Sequence, residues 1–308
     1  MTSEQIEYQE TPLPYDPDVP IVDFHTHIWT DAFAPRAEAI LTSRDNSRAY
    51  NPGTVDGLVH SMDLAGIAAS VGMAVATKPS QVNTNNDFLS QLVGHKRIAP
   101  FAAIHPDLTD PAAVIRRAAR AGMRGVKLHP MDQRFKPQEK RLRPLIDAAI
   151  QEGMVILFHA GSGFADGCPY GSTDDFARFF DHYNTYGRFV LAHMGGPQGR
   201  GTKPALDPQW PCHFDTAYLM GNFAPDELVD AIHLVGAKRV LFGTDAPWHD
   251  QKTDLKLFLK LGLTPEENKA ILSSNALDLL RLIPEAIGFV NRVPAEPDQE
   301  LTSGYTLL

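Results

Sequence analysis

The stretch Ile21-Val22-Asp23-Phe24-His25-Thr26-His27 is an apolar segment that ends in two histidines spaced two residues apart. It predicts a β-strand. Because strand side chains alternate between faces, His25 and His27 are expected to point the same way, with Asp23 behind them. Two imidazoles on one rigid strand could supply half of a metal site. Two ligands do not hold a metal alone, so the meaning of the pair depends on the rest of the chain.

Four later segments repeat the pattern of an apolar strand with a polar residue at its carboxyl end. These end residues are His129, His159, His193 and Asp245. From His27 onward, the successive intervals between neighbouring end residues are 102, 30, 34 and 52 residues. A βα unit takes roughly 30 residues, so the intervals correspond to three units, one, one and nearly two. The five residues are therefore expected on strands 1, 4, 5, 6 and 8, at the face on which barrel active sites are built.

Eight strand candidates alternate with helical segments, which is typical of parallel βα units and favours a (β/α)₈ TIM barrel of the α/β class. A single barrel domain is predicted over residues 20–284, with an N-terminal arm at 1–19 and a C-terminal tail at 285–308. A doubly wound open sheet is the alternative, and it is disfavoured because no Gly-x-Gly-x-x-Gly follows the first strand.

Local signals mark some of the connections between these strands. Asp110 and Pro111 predict the start of a helix that stops at Gly122, and Thr264 with Glu267 predicts a capping box. Residues 30–53 are long for a structureless connection, so they predict either a lid over the substrate or a short helix.

Composition excludes several classes of partner. There are 28 Lys and Arg residues against 37 Asp and Glu residues, a formal net charge of −9, which argues against nucleic acid and anionic membranes. No apolar run reaches the ~20 residues that span a bilayer. Residues 1–20 lack the basic start and apolar core of an export signal. With only Cys168 and Cys212, no disulfide framework is expected, and the cytoplasm is the expected compartment.

Five segments within residues 21–283 carry a resemblance to a known family: Asp23-Phe-His-Thr-His27, Gly125-Val-Lys-Leu-His-Pro130, Leu157-Phe-His-Ala-Gly161, Leu191-Ala-His-Met-Gly-Gly196 and Leu241-Phe-Gly-Thr-Asp-Ala-Pro247. Together they resemble the amidohydrolase superfamily, and within it the amidohydrolase-related branch of aminocarboxymuconate-semialdehyde decarboxylase-like proteins. The resemblance implies one divalent metal ion, zinc first and manganese or cobalt as alternatives. It implies the ligands His25, His27, His159 and Asp245, and it places His193 beside the metal-bound water or the substrate.

The chemistry of these side chains fits that ligand set. Neutral imidazole and carboxylate suit Zn²⁺, and a site without thiolates leaves a position open for water. Water on such a metal has a pKa of about 7. Asp245 could accept its proton as general base, and His193 could hold the developing oxyanion or pass a proton to the leaving group. The alternative is that these histidines are buried, hydrogen-bonded core residues without a metal.

Further residues are candidates for substrate contacts. Both Lys127 and His129 are expected to point inward from strand 4. Binuclear relatives carry a carboxylated lysine there, but the branch is mostly mononuclear. Lys127 is therefore interpreted as a buried cation that orients Asp245 or a substrate carboxylate, and His129 as a substrate contact or as a hydrogen-bond donor behind the ligands. Trp29 and Trp248 are candidate pocket walls. Arg200, with Lys203 nearby, points to a carboxylated substrate unless these charges only keep a loop soluble.

The sequence therefore predicts a metal-dependent hydrolase that uses a metal-activated water on a small, carboxylated amide, lactone or ester. A non-oxidative decarboxylase with the same metal site is the main alternative. Gly195-Gly196 stands where many aromatic-acid decarboxylases have Gly-Glu, which favours hydrolysis. A barrel that binds metal or ligand without turnover is a third possibility, against which the open site and Asp245 argue. The expected partners are a small-molecule substrate and a second copy of the chain in a homodimer.

Overall fold

The strands pair in parallel, each with its neighbour in the sequence. The computed structural model describes residues 16, 18–45, 48–161, 168–184, 188–196 and 206–282, and within them one sheet runs in the order of strands 1 to 8. The strands are β1 (Val22–His27), β2 (Ala69–Met73), β3 (Ile98–Ala103), β4 (Gly125–Leu128), β5 (Val155–Phe158), β6 (Phe189–Leu191), β7 (His213–Asp215) and β8 (Val240–Leu241).

Hydrogen bonds between the first strand and the segment around the last close the sheet. The Phe24 N–H donates to the Phe242 carbonyl at 2.7 Å, and the Asp245 N–H donates to the His25 carbonyl at 2.8 Å. These bonds satisfy the edges that an open sheet would leave unpaired. The predicted (β/α)₈ barrel is confirmed.

Helices cover the outer face of the sheet. In the described part of the chain they are α1 (Ala34–Asp45), α2 (Val55–Ala65), α3 (Val82–Ser90), α4 (Pro111–Ala121), α5 (Pro130–Gln133), α6 (Arg143–Gln151), α7 (Thr173–His182), α8 (Pro225–Val235), α9 (Gln251–Phe258), α10 (Pro265–Lys269) and α11 (Asn275–Leu280). Short 3₁₀ turns precede α3 and α6, and a π-helical segment, Ala270–Ser274, joins α10 to α11.

The local helix signals are confirmed. The Asp110 side chain accepts from the Ala113 N–H at the start of α4, and Gly122 ends that helix in the left-handed conformation. Thr264 and Glu267 form the capping box of α10. The segment 30–53 contains α1, so the short-helix interpretation holds for it. Local signals succeeded here because capping depends on residues within one helical turn.

Alternate residues of each strand face the barrel interior or the helices. In β5, Val155 and Leu157 belong to the interior cluster, whereas Phe158 packs edge-on against Phe176 and Phe179 of α7. In β4, Val126 and Leu128 pack in the outer cluster, which leaves Lys127 on the interior side. This alternation places a lysine in the barrel, with 1% of its surface exposed.

A bulge in β1 changes which of its residues share a face. The register with β2 shifts between Asp23 and Thr26. Phe24 lies in the interior cluster, while the Asp23 carboxylate accepts from Gln251 of α9. An extra residue at a bulge reverses the alternation that follows it. Both histidines therefore face the interior as predicted, but Asp23 is directed toward a helix.

The predicted arm and tail lie almost entirely outside the described residues, so the boundaries at 19 and 284 stay predictions. Among the helices that the structure describes, none combines the length and the apolarity needed to cross a membrane.

Candidate metal centre

Three of the four predicted metal ligands converge at the carboxyl end of the barrel. Within the described residues, ligand atoms of His25, His27 and Asp245 all lie within 4.8 Å of one another. The Asp245 Oδ1 atom is 3.0 Å from His27 Nε2 and 3.3 Å from His25 Nε2. The pairing of β1 with the segment after β8 brings these residues together.

The carboxylate oxygen in this group lacks a conventional hydrogen bond. Asp245 Oδ1 is buried and, among the described residues, has no partner in hydrogen-bonding geometry, although both imidazoles are close. An unsatisfied buried carboxylate oxygen is costly. Two imidazoles and a carboxylate whose atoms converge without bonding one another match the donor set of a divalent metal. The residues therefore fit the ion that the sequence predicts.

Asp215, at the end of β7, fixes the orientation of His25. Its Oδ2 lies 2.8 Å from His25 Nδ1, and its Oδ1 accepts from the backbone N–H groups of His193 and Ala217 at 2.9 and 3.1 Å. Because a carboxylate only accepts, His25 carries its proton on Nδ1 and presents the Nε2 lone pair to the site. Burial lowers the pKa of His25, and the charge of Lys127 adds to this. The ring is thus held neutral, as a ligand must be.

His159 and His193 form a second oriented chain. His193 Nδ1 lies 2.8 Å from the Ala217 carbonyl, so it carries the proton, and His193 Nε2 lies 3.1 Å from His159 Nδ1. In the neutral rings His159 must therefore donate through Nδ1, which leaves its Nε2 as a lone pair. That atom is buried and has no hydrogen-bond partner among the described residues. His159 stands outside the three-residue group, with a free lone pair that suits a fourth ligand.

Lys127 is a buried cation beside the metal-binding group. Its Nζ donates to His25 Nε2 at 2.9 Å. Burial lowers the pKa of Lys127 to about 8, against the attraction of Asp245, Asp215 and Asp132. Burial acts on Asp245 in the raising direction, but the adjacent imidazoles of His25 and His27 outweigh it and keep its pKa below the usual range. The site therefore holds an ammonium group and a carboxylate, both ionised at neutral pH.

The remaining predicted contacts surround this centre. The His129 ring stacks on His159 with centroids 3.9 Å apart, and its Nδ1 accepts from the Asp132 N–H at the start of α5. The Trp29 ring lies parallel to His27 with centroids 6.1 Å apart, and it meets Trp248 edge-on at 6.0 Å. Both indoles are half-buried and stand beside the ligands. Arg200 and Lys203 fall outside the described residues, so their predicted role stays a prediction.

Two site residues adopt backbone angles that are rare for residues other than glycine. Asp245 has a φ of 71° and His193 a φ of 57°. Such left-handed residues cost on the order of 1 kcal/mol or more and persist only where the surroundings enforce them. The Asp245 N–H bond to His25 and the His193 N–H bond to Asp215 supply that enforcement. The strain falls on residues that carry predicted chemical roles.

The sequence interpretation missed Asp215 and the structural role of Asp23. Asp215 ends β7 as the histidines end β4, β5 and β6, so its position at a strand end was the available signal. Asp23 accepts from the Thr244 hydroxyl at 2.6 Å and from Gln251 at 2.7 Å. Burial raises the pKa of Asp23 to about 7, although these hydrogen bonds oppose the rise. It ties β1 to the segment after β8, where Asp245 stands.

Comparison with protein families gives one match. The family model described as amidohydrolase matches residues 22–282. Among curated proteins, no sequence matches the chain.

Solved structures share the fold at low sequence identity. The 5-carboxyvanillate decarboxylase of Sphingomonas paucimobilis aligns with a TM-score of 0.66 and 15% identity, over 86% of this chain and 100% of that one. A dihydroxybenzoic acid decarboxylase of Polaromonas, with bound manganese and an inhibitor, gives 0.64 and 19%, over 88% and 100%. A Pseudomonas putida protein provisionally named as a 2-pyrone-4,6-dicarboxylic acid hydrolase gives 0.60 and 18%, over 85% and 98%. At these identities the likeness shows the fold alone.

Proposed function

The chain belongs to the amidohydrolase family, and on that premise we propose that it is a metal-dependent decarboxylase of a small aromatic or similarly conjugated carboxylic acid. The observation that carries the proposal is the ammonium group of Lys127, buried beside the metal-binding group. Within the described residues, no carboxylate lies within ion-pairing distance of its Nζ, and the acidic groups nearby act on it at longer range. A buried charge is stable only when it is paired, and a substrate carboxylate would pair it.

The contacts of His193 give it a positioning role in the proposed site. As a hydrolase residue it was expected to pass a proton to a leaving group. Both of its ring nitrogens are occupied, one by the Ala217 carbonyl and the other by His159. In the neutral ring the only proton is the one given to Ala217. We therefore propose that His193 positions the His159 ring through this hydrogen bond.

The glycine pair that favoured hydrolysis has a packing explanation. A Cβ atom added at Gly196 would lie 2.0 Å from the Ala160 carbonyl oxygen, and Gly196 has a φ of +78°. Any side chain at this position would require a shift of the backbone at the end of β5. The absence of glutamate there follows from close packing, so it does not discriminate between the two reactions.

The roles of the residues follow from their positions. His25, His27 and Asp245, with His159 as fourth ligand, would hold one divalent ion, manganese or zinc. When bound, that ion supplies Lewis acidity to the oxygen atoms of the substrate. Lys127 binds and orients the substrate carboxylate, and Trp29 and Trp248 line the side of a flat ring. The bond between the ring carbon and the carboxyl carbon breaks, carbon dioxide leaves, and the electron pair stays on the ring carbon until a proton replaces the lost group.

The test is carbon dioxide release from defined acids. The purified protein, loaded with Mn²⁺ or Zn²⁺, is incubated with 2,6-dihydroxybenzoate, 5-carboxyvanillate and 2-pyrone-4,6-dicarboxylate, and gas and products are measured by mass spectrometry. We expect loss of 44 mass units, about the mass of carbon dioxide, from an aromatic acid and no reaction with an Asp245→Asn variant. Gain of one water by the pyrone without gas release would overturn the proposal in favour of hydrolysis.

A further inference from the structure

A histidine and aspartate pair stands at the mouth of the barrel, outside the metal-binding group. His249 follows β8 by a short segment, and Asp254 lies in α9. The two carboxylate oxygens of Asp254 lie 3.1 and 3.0 Å from His249 Nδ1. The side chain of Asp254 is 1% exposed and that of His249 is 11% exposed. Since the carboxylate accepts, His249 carries a proton on Nδ1, and its Nε2 is the nitrogen that can gain or lose one.

The environment of His249 Nε2 suits both protonation states. It lies 3.2 Å from the Asn222 Nδ2 atom, and Asn222 is exposed after β7. An amide nitrogen donates to the bare Nε2, and the same amide, turned over, presents its oxygen to a protonated Nε2. The Tyr218 ring packs against the imidazole with centroids 4.5 Å apart and limits its movement. The ring can therefore exchange a proton with solvent while it stays in place.

The charges around His249 favour its protonated form. Burial acts to lower the pKa of His249, but Asp254 outweighs burial, with contributions from Asp245 and Asp250, and the net shift is upward. Among the described residues, Tyr218 is a further titratable group that faces the ring. The pKa values of His25 and His159 are, by contrast, shifted downward by burial. His249 is thus suited to carry a proton in a site where burial favours the neutral forms of His25 and His159.

Decarboxylation requires a proton donor, and three residues of the site are already assigned to other roles. Asp245 is ionised, His193 gives its proton to a carbonyl, and the Lys127 ammonium is assigned to the substrate carboxylate. His249 stands four residues after Asp245, and the intervening Trp248 N–H donates to the Asp245 carbonyl at 3.0 Å. Asp245 is also close enough to His249 for its charge to raise the pKa of the imidazole.

We propose that His249 is a catalytic acid, which donates its Nε2 proton to the ring carbon as the carboxyl group leaves. The inference rests on the proposed decarboxylase function. The bond between the ring carbon and the carboxyl carbon breaks, its electron pair takes the proton from Nε2, and carbon dioxide leaves. His249 is left neutral, stabilised at Nδ1 by Asp254, and it regains a proton from water on the Asn222 side.

The test compares His249→Gln with His60→Gln, a substitution of an exposed histidine on α2. Because general acids contribute about 10²- to 10⁴-fold in rate, we expect kcat to fall ~100-fold or more in His249→Gln, with KM and metal content within a few-fold of the wild type. His60→Gln should match the wild type. The wild-type kcat should decline on the alkaline side as His249 loses its proton. This decline should move to lower pH in Asp254→Asn, because the carboxylate that raises the pKa of His249 is gone.

The outcomes separate this inference from the function on which it rests. If the wild type releases carbon dioxide and His249→Gln does so at the same rate, the assignment of His249 is overturned and the decarboxylase proposal stands. If the wild type releases none from any acid tested, both fall. If His249→Gln does not fold, a measurement on the wild-type protein tests the same assignment. Diethylpyrocarbonate should inactivate the metal-loaded enzyme in step with modification of His249 mapped by mass spectrometry, and full activity after its modification would overturn the assignment.

Discussion

At the scale of single residues, the arrangement of the centre depends on Asp215. Its two oxygens reach the His25 ring and the backbone of the His193 segment, so one side chain from β7 orients residues of β1 and β6. Carboxylates behind metal-binding histidines fix the tautomer and raise the basicity of the ligand. Asp215 therefore determines which nitrogen of His25 presents its lone pair to the site.

Replacement of Asp215 by asparagine should weaken the binding of the metal. An amide can donate to His25 Nδ1 and favour the tautomer with its proton on Nε2, which is the ligand atom. Loss of such a partner typically costs about 10- to 100-fold in metal affinity. The dissociation constant for Zn²⁺ or Mn²⁺, measured by competition with a chromogenic chelator, checks this. Asp230→Asn, an exposed substitution on α8, is the control, and equal affinities of the two variants would contradict the role of Asp215.

Lys127→Met should separate metal binding from turnover. The ammonium group donates to the His25 lone pair that an ion would use, so ion and ammonium compete for one atom. Without the lysine, we expect metal affinity to rise several-fold, while turnover of a carboxylated substrate falls by about 100-fold or more because the loss of a buried charge partner costs ~3–5 kcal/mol. Calorimetric titration of the metal and a carbon dioxide assay measure both. Lys96→Met, on the surface, is the control. A parallel loss of both properties would mean that Lys127 only supports the fold.

The sequence predicted individual ligands but not the partners that orient them. His25, His27 and Asp245 follow strand ends whose spacing reflects the βα repeat, and the repeat is visible in the sequence. The contact between His25 and Asp215 joins residues 190 positions apart and depends on how far each strand rises in the barrel. A contact between residues so far apart in the chain cannot be predicted from a local sequence pattern. The bulge that turns Asp23 away from the histidines was hidden for the same reason.

At the scale of elements, β7 carries both an orienting carboxylate and a half-buried histidine, His213. Burial lowers the pKa of His213 to about 4, with Arg239 and Arg188 acting in the same direction, and His213 Nδ1 has no hydrogen-bond partner among the described residues. The unfolded chain binds a proton at this residue near pH 6.5, whereas the folded chain resists it. The folded state therefore loses stability as the pH falls from about 6.5 to 4.

His213→Gln should remove this part of the acid sensitivity. Relative to the variant, the wild type should lose roughly 3 kcal/mol of unfolding free energy between pH 6.5 and 4, because one pKa unit corresponds to 1.36 kcal/mol. Urea denaturation at several pH values measures the difference, and His60→Gln serves as the control. Parallel curves for wild type and His213→Gln would show that His213 is protonated in the folded state as easily as in the unfolded chain.

The elements that the sequence predicted well are those whose signals are local. Helices α4 and α10 carry such signals, and both ends of α4 and the start of α10 were predicted. The helix α9 was not, although it supplies Gln251 to Asp23 and Asp254 to His249. Its start is capped by Asp250, but the segment before it was interpreted only as the end of a strand. The Asp250 cap lies only five residues after Asp245, so strand, site residue and helix start share one short segment.

At the scale of the whole molecule, the ion should stabilise the barrel that binds it. An ion that binds only the folded chain adds ~2.7 kcal/mol when its free concentration is 100 times its dissociation constant. For a domain of this size each kcal/mol corresponds to about 2–4 °C in Tm, so metal-loaded protein should melt several degrees above protein stripped with EDTA. Differential scanning calorimetry measures the shift. Asp245→Asn should keep a native far-UV spectrum and show little shift, and a full shift in this variant would exclude Asp245 as a ligand.

The closure of the barrel also determines when the site comes into existence. His25 and Asp245 stand 220 positions apart (245 minus 25), and only the pairing of the first strand with the segment after the last brings them together. During synthesis on the ribosome, a nascent chain that has not yet released β8 carries the histidine pair without its carboxylate. If the centre holds a metal ion as proposed, capture of the ion would therefore be a late event that marks completed folding. Proteolytic cleavage that let β8 detach would release the ion and end catalysis together, even if the rest of the sheet stayed paired.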